Sequence, residues 1–416
     1  MPYALRLRNF RHLSTSAAAA ATVTPPSSIS ISNAKSRLRS EYDPDKALEI
    51  YTSVSKHYSS PLASRYAQEF TVRRLAKARR FSDVESLIES QKSDPKITEE
   101  PFLCTLIRSY GIAGMFDQAL NTFSQMDSLG TPRTALSFNA LLSACNQSRL
   151  YDKVPNMFVE IPEKYGLSPD KISYGILVKS FCEAGAPEKA IETLNVMEEK
   201  NVEVTAVTFT TILDNLYNKG KSEEAEKLWS ERVKKGCELD VAAHNVRIMN
   251  AQSGDPEKVK ELFEELINAG LKPDTISYNY LMTSYCKSGM MDKAESVYEK
   301  LEENGCKPNA VTFRTLISFH CRNEDYEAGY KIFKVSVKRS KIPDFTTMKI
   351  LVEGLVKVKK MKAAKGLTRT IKKKFPHNLL KSWSKVEQEL GLASADTASA
   401  SADTASTSAE EQEDAA

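Results

Sequence analysis

Three cationic side chains, Lys287, Arg322 and Lys357, stand 35 residues apart in this chain of 416. Cations repeated at a fixed interval on equivalent elements can meet successive phosphates of a polyanion, through contacts that weaken as salt rises. The other residue types that carry chemistry are not arranged for it. The five histidines, His12, His57, His244, His320 and His377, do not pair with cysteines at metal-ligand spacing, and no H-x-E with C-x-x-C marks a zinc deaminase. No Gly-rich phosphate loop is present. Among the seven cysteines, Cys182, Cys286 and Cys321 share one column of the interval and Cys237 and Cys306 another. That phase predicts buried or half-buried structural thiols in a reducing compartment. No metal, no cofactor, no small-molecule substrate and no catalytic residue is expected.

The interval that spaces these cations also spaces the elements that must carry them. From Arg65 to Leu379 the chain repeats about every 35 residues, in units 65–99, 100–134, 135–170, 171–205, 206–240, 241–274, 275–309, 310–344 and 345–379. Each unit has two apolar runs at three-and-four spacing, the mark of two amphipathic helices. In the unit opening at Thr275 these are Tyr278, Leu281, Met282 and Tyr285, then Ala294, Val297, Tyr298 and Leu301. Ser288-Gly289 separates the two runs, and Asn304-Gly305 with Lys307-Pro308 ends the second.

The second helix has a column of small residues, Ala119, Ala190, Ala225, Ala294, Gly329 and Ala364, with Val84, Val154 and Val259 in the remaining units. Four residues on stands a bulky column that includes Phe123, Phe158, Trp229, Phe263, Tyr298 and Phe333. Small and large rows of this kind are core packing, allowing close approach and filling the groove. The expected fold is an all-α, α-solenoid superhelix of about nine two-helix 35-residue repeats.

The two ends do not share the pattern. Residues 1–40 hold Arg6, Arg8, Arg11, Lys35, Arg37 and Arg39 without an acid, in a Ser, Thr and Ala background, which reads as a disordered transit peptide, mitochondrial before chloroplast. Residues 41–64 look like a degenerate N-terminal helical unit, 380–392 like a capping helix, and 393–416 like a disordered Ala, Ser and acidic tail. No apolar run reaches the length of a membrane span, so no membrane partner is expected. Formal net charge is only +4, yet between Lys331 and Lys385 there are 17 Lys and Arg against two acids, Asp344 and Glu353.

The unit resembles the pentatricopeptide repeat, whose V-T-Y-N-T-L-I opening is close to Val207-Thr208-Phe209-Thr210-Thr211-Ile212-Leu213 and to Ile276-Ser277-Tyr278-Asn279. The tetratricopeptide repeat, a rival two-helix unit, usually has a Gly within its first helix. Here that column is Ile107, Leu142, Val178, Leu213, Ile248, Met282, Ile317 and Val352. The resemblance covers about three quarters of the chain and is of the pure-repeat, P-class kind found in plant organelles. It implies a non-catalytic protein that binds single-stranded RNA, one base per repeat.

By that resemblance the fifth residue of a unit, assisted by the last, reads a base. Asn139 with Asp170 matches the pairing for uracil, Thr210 with Asp240 guanine, Asn245 with Asp274 uracil, and Asn279 with Asn309 cytosine, for a target U-x-G-U-C. The second residue stacks bases: Leu136, Ile172, Val207, Ile276 and Val311 fit, and Ala242 offers less contact. The column of Lys287, Arg322 and Lys357 falls near the end of the first helix, where it can meet phosphates. Glu69 with Glu99, Cys104 with Thr134, Gly175, Arg314 with Asp344, and Lys349 with Leu379 do not follow the code.

The Asp and Asn residues can also serve simply as helix N-caps. Two functions follow as expectations. One is an organellar, mitochondrial RNA-binding protein of post-transcriptional RNA metabolism or translation. The other, suggested by the short patchy code and the basic flank, is a structural or accessory component of the mitochondrial ribosome.

Overall fold

The computed structural model describes residues 30–55, 61–237, 239–375 and 377–392. It forms two compact units, Met1–Ser86 and Leu87–Ala416. In the first, α1 (Ile31–Ser40), α2 (Pro44–Ser55) and α3 (Pro61–Lys77) pack together, and α4 (Phe81–Glu89) spans the boundary. The expectation of a disordered 1–40 fails for its last ten residues, which form α1. Ala34 and Leu38, four apart on one helical face, are fully buried, and the Arg74 guanidinium donates to the carbonyls of Leu38 at 3.0 Å and Glu41 at 2.7 Å. Apolar contact and charge-assisted hydrogen bonds thus fold a segment whose composition alone looks like leader. The basic residues before Ser30 and the tail after Leu392 lie outside the described residues.

The second unit is a run of helix pairs: α5 (Glu100–Ala113) with α6 (Phe116–Ser124), α7 (Ala135–Gln147) with α8 (Val154–Tyr165), α9 (Lys171–Ala184) with α10 (Pro187–Glu199), and α11 (Ala206–Asn218) with α12 (Ser222–Lys234). It continues with α13 (Val241–Ala251) and α14 (Pro256–Asn268), α15 (Thr275–Lys287) and α16 (Met291–Glu303), α17 (Ala310–Arg322) and α18 (Tyr326–Lys338), and α19 (Phe345–Lys357) and α20 (Met361–Lys374). A final helix, α21, covers His377–Glu389. Each first helix packs on the first helix of the next pair, from α5 on α7 to α17 on α19, and on its own second helix. The described residues are helices, turns and loops without a strand, and the fold is an α-solenoid.

The columns read from the sequence form the core. Ala119, Ala190, Ala225, Ala294 and Ala364 are fully buried, as are Val154 and Val259. The apolar column of the first helices from Ile107 to Val352 is also fully buried throughout. Close approach is tightest where glycine stands: a Cβ on Gly111 would fall 2.5 Å from Ala144 Cα, and one on Gly354 2.0 Å from the Tyr326 ring. At the C-terminal end Trp383 of α21 is almost fully buried, edge-on to Phe345 at 5.5 Å between ring centroids. It closes a core shared with Leu351, Leu367 and Ile371.

Candidate nucleic-acid interface

The first helices begin with an N-cap that belongs to the preceding repeat. Asp170 caps α9, its Oδ1 accepting from the amides of Ile172 at 3.0 Å and Ser173 at 2.8 Å. The Asp170 amide donates back to the Ser173 hydroxyl at 3.1 Å, completing a capping box. Asn139, on α7 of the preceding pair, enters the same network. Its Nδ2 donates to Asp170 Oδ1 at 3.0 Å, and its Oδ1 accepts from the Ser173 hydroxyl at 2.6 Å.

The arrangement recurs in two further places. Asn245 Nδ2 donates to Asp274 Oδ1 at 3.1 Å while the Ser277 hydroxyl donates to Asn245 Oδ1 at 2.7 Å. Asn279 Nδ2 donates to Asn309 Oδ1 at 3.3 Å while the Thr312 hydroxyl donates to Asn279 Oδ1 at 2.7 Å. Three of the four sequence-paired positions are therefore joined side chain to side chain.

Thr210 and Asp240 are not joined by a hydrogen bond. The Thr210 hydroxyl bonds back to its own helix, at 2.9 Å from the Ala206 carbonyl, and Asp240 caps the Ala243 amide at 2.9 Å. The physical reason is in two residues: threonine is shorter than asparagine, and the third residue of the next repeat is Ala243, which has no hydroxyl to complete the bridge. In the other repeats the network is replaced or missing. Glu100, buried at 7% exposure, caps α7 by accepting from the amides of Thr134 at 2.8 Å and Ser137 at 3.0 Å. At Gly175 a Cβ would lie 3.2 Å from the Thr208 hydroxyl, so the place taken by asparagine in the other repeats is empty of side chain. Arg314 reaches Asp344 at only 3.9 Å.

Ser173, Ser277 and Thr312 are members of this network that sequence reasoning missed. Their signal was present as a hydroxyl three residues after each Asp or Asn cap, Asp-x-x-Ser and Asn-x-x-Thr. They fix the orientation of the asparagine amide, since a hydroxyl that donates must face Oδ1 and leave Nδ2 toward the carboxylate. Asn139, Asn245 and Asn279 are buried, each with one N–H and one lone pair beyond those bonds. Partial burial works against ionisation of Asp170 and Asp274, but the hydrogen bonds from the asparagine and from the Ser and Ile of the following helix outweigh it. Both carboxyls are held below the usual range. The first two pairs thus present a fixed amide edge beside a carboxylate and the third an amide beside an amide, donor and acceptor sets that a base edge can meet.

The five apolar second residues face outward. Leu136, Ile172, Val207, Ile276 and Val311 are between 39% and 74% exposed, one turn from the polar pairs. Exposed aliphatic side chains repeated at one register are available for base contact, which does not depend strongly on sequence. Of the three cations, Lys287 donates to Ser253 at 2.9 Å, Lys357 forms an ion pair with Glu324 at 2.6 Å, and Arg322 is exposed without an ion pair among the described residues. The Lys357 pair is solvent-exposed and therefore weak.

The remaining reactive groups are structural. Burial pushes the thiols of Cys104, Cys182, Cys286 and Cys321 up to about 12, and that of Cys145 to about 11. His244 packs edge-on against Trp229 at 4.8 Å, and burial lowers its pKa. Among the described residues no three His, Cys, Asp or Glu side chains gather as a metal site, and no helix is long and apolar enough to cross a membrane.

A model of the PPR repeat family matches residues 169–218, 204–251 and 273–322, and a PPR repeat model matches 103–131, 136–165, 249–271 and 311–339. The small ribosomal subunit protein mL103 (rPPR7) of Arabidopsis thaliana is 62% identical over 92% of this chain and 94% of its own length. A mitochondrial pentatricopeptide repeat-containing protein of the same plant is 55% identical over 95% of this chain and 94% of its own. The crystal structure of the pentatricopeptide repeat protein PPR10 from maize aligns with a TM-score of 0.44 at 16% identity, covering 87% of this chain and 60% of that one.

Proposed function

We propose that this chain, which belongs to the pentatricopeptide repeat family, is a mitochondrial protein that binds single-stranded RNA without catalysing a reaction. The observation that carries the reading is the recurrence of one polar triad, Asn139–Asp170–Ser173, Asn245–Asp274–Ser277 and Asn279–Asn309–Thr312, beside an exposed aliphatic residue. A purely capping role needs the Asp and the hydroxyl but not the buried asparagine of the preceding repeat. That asparagine holds the side chain of the Asp or Asn cap and supplies an amide edge of its own. Each triad reads one base, so the array selects U-x-G-U-C, with the guanine position, at Thr210 and Asp240, the least constrained.

The test is the affinity of the full chain for short RNAs containing UxGUC against scrambled controls, repeated with Asn309→Asp. The expected result is a loss of about 1–3 kcal/mol for each mismatched base, and a shift from cytosine toward uracil at the last position in the variant. Equal affinity for all of these RNAs defeats base readout.

A second reading is favoured by a specific observation: a relative 62% identical across nearly the whole of both chains carries the name of a small ribosomal subunit protein. In this reading the array is a component of the mitochondrial ribosome and its RNA is ribosomal. Sedimentation of the protein with the small subunit through a sucrose gradient supports it, whereas a protein that runs near the top of the gradient acts as a free adaptor.

A further inference from the structure

Two columns of the second helix reverse their charge partway along the array. In α14 and α16 they hold Glu264 with Asn268 and Glu299 with Glu303; in α18 and α20 they hold Lys334 with Lys338 and Arg369 with Lys373. All four cations are exposed, and none has an acidic partner within ion-pair distance among the described residues. In α12 the same columns hold Ser230 with Lys234, and at other registers cations are tied to the neighbouring repeat along the whole array, as in Lys221 with Glu188 at 2.5 Å, Lys293 with Glu257 at 3.0 Å and Lys360 with Glu327 at 2.6 Å.

The two cationic helices touch where Tyr330 of α18 reaches Gly366 of α20. A Cβ on Gly366 would lie 2.7 Å from the Tyr330 hydroxyl, and Lys334 sits over the Tyr330 ring at 5.3 Å. On α20, Lys362, Arg369 and Lys373 follow one another at seven and four residues, on one helical face. That face extends over roughly 16 Å at 1.5 Å per residue.

The geometry points to a second nucleic-acid surface, on α18 and α20, that docks the phosphate backbone of folded, base-paired RNA. The choice of polyanion rests on the RNA-binding reading above, but the surface does not use the base-reading triads. Rows of unpaired cations on rigid neighbouring helices suit a ladder of phosphates, whose binding comes from counterion release and needs no base contact. An interfacial membrane helix would interleave apolar anchors among its cations. Here Ala364, Leu367 and Ile371 of α20 are buried in the core instead. A protein interface would need an apolar centre, which the cationic rows lack.

The experiment compares the full chain with a Lys334→Glu, Lys338→Glu, Arg369→Glu, Lys373→Glu variant. The preceding repeat carries glutamate in both columns at exposed positions, so the variant keeps the fold, which a thermal melt checks. Binding is measured to an RNA hairpin of about 16 base pairs, to a single-stranded UxGUC oligomer, and to vesicles of phosphatidylserine and phosphatidylcholine. We expect hairpin affinity to fall at least about tenfold, with a salt slope shallower by about three to four and the oligomer unaffected. Asn279→Ala has the opposite pattern, weakening the oligomer and sparing the hairpin, so failure of base readout and failure of this surface are separable. Unchanged hairpin affinity in the charge-reversed variant overturns the inference, as does an equal loss on the oligomer. Loss of vesicle binding with hairpin binding intact also overturns it, in favour of a lipid surface.

Discussion

The repeats between Ala135 and Asn309 and those between Ala310 and Leu379 share one helix-pair architecture but differ in what each layer offers. In the first group the junctions between first helices hold asparagine triads, and the second helices carry mixed charge tied into ion pairs between repeats. In the second group the fifth residues are Arg314 and Lys349, which cannot build the triad, and two columns of the second helices hold only cations, Lys334, Lys338, Arg369 and Lys373, without acidic partners among the described residues, beside others that are paired, such as Lys372 with Glu387 at 2.8 Å. Core columns run unchanged through both, with Ala294 and Ala364 equally buried. The lesson is that a solenoid separates its roles by column: packing is set by one set of positions, and two layers outside the core vary independently of it and of each other.

That separation is open to direct challenge, most severely at Trp383. Replacing this buried ring by alanine removes the plug over α19 and α20 and is expected to cost about 3–5 kcal/mol. Because repeat stability is a sum of units and nearest-neighbour interfaces, hydrogen exchange should accelerate in α19 and α20 and hardly at all in α7 and α9. A uniform acceleration would show that the two regions are one cooperative block. Gly354→Val drives a side chain into the Tyr326 ring at the junction of α18 and α19, and overpacking of this kind costs about 1–3 kcal/mol. Hairpin binding should weaken along with the local melt, while binding of the UxGUC oligomer persists.

Smaller changes sharpen the contrast within the triad repeats. Ile276→Ser removes an exposed stacking surface and should cost about 1 kcal/mol of oligomer affinity with no loss of thermal stability. Asp274→Ala loses the N-cap of α15, about 1 kcal/mol of stability. Asp274→Asn should stay within a few tenths of a kcal/mol of the parent, since Asn309 makes the same capping box in the next repeat. The asparagine variant separates capping from reading: stability stays while base preference at that repeat moves from uracil toward cytosine.

Acid titration gives the smallest signal. The folded-state pKa values of Asp170 and Asp274 lie below their ordinary value, so their contribution is fully present above about pH 4 and is lost as pH falls through the depressed values. The stability gap between the parent chain and an Asp170→Asn, Asp274→Asn variant should therefore shift against the parent only below about pH 4. Urea unfolding at pH 6 and at pH 3 checks this, and a gap that does not change with pH would mean that neither carboxylate is held by its hydrogen bonds.

Much of the molecule was legible from period and residue type. The columns from Ala119 to Ala364, the first-helix column from Ile107 to Val352, and the exposed second residues follow from which positions repeat and how apolar they are, because helix geometry converts spacing into faces. The charge reversal between Glu299 and Lys334 is likewise written in the chain. Leader-like composition misled at Ile31–Ser40, since burial of Ala34 and Leu38 depends on neighbours that composition does not describe.

Only the tertiary structure decided which pairs act as pairs. Thr210 with Asp240 and Asn245 with Asp274 look alike by position. The second closes through Ser277 and the first stays open, because three side chains from two adjacent repeats must meet at about 3 Å and Ala243 contributes nothing. It also decided which cations are free, since an ion pair between repeats depends on whether an acid some 33 to 37 residues away reaches the same edge. Spacing along the chain can name the candidates; distances between packed helices determine which of them meet.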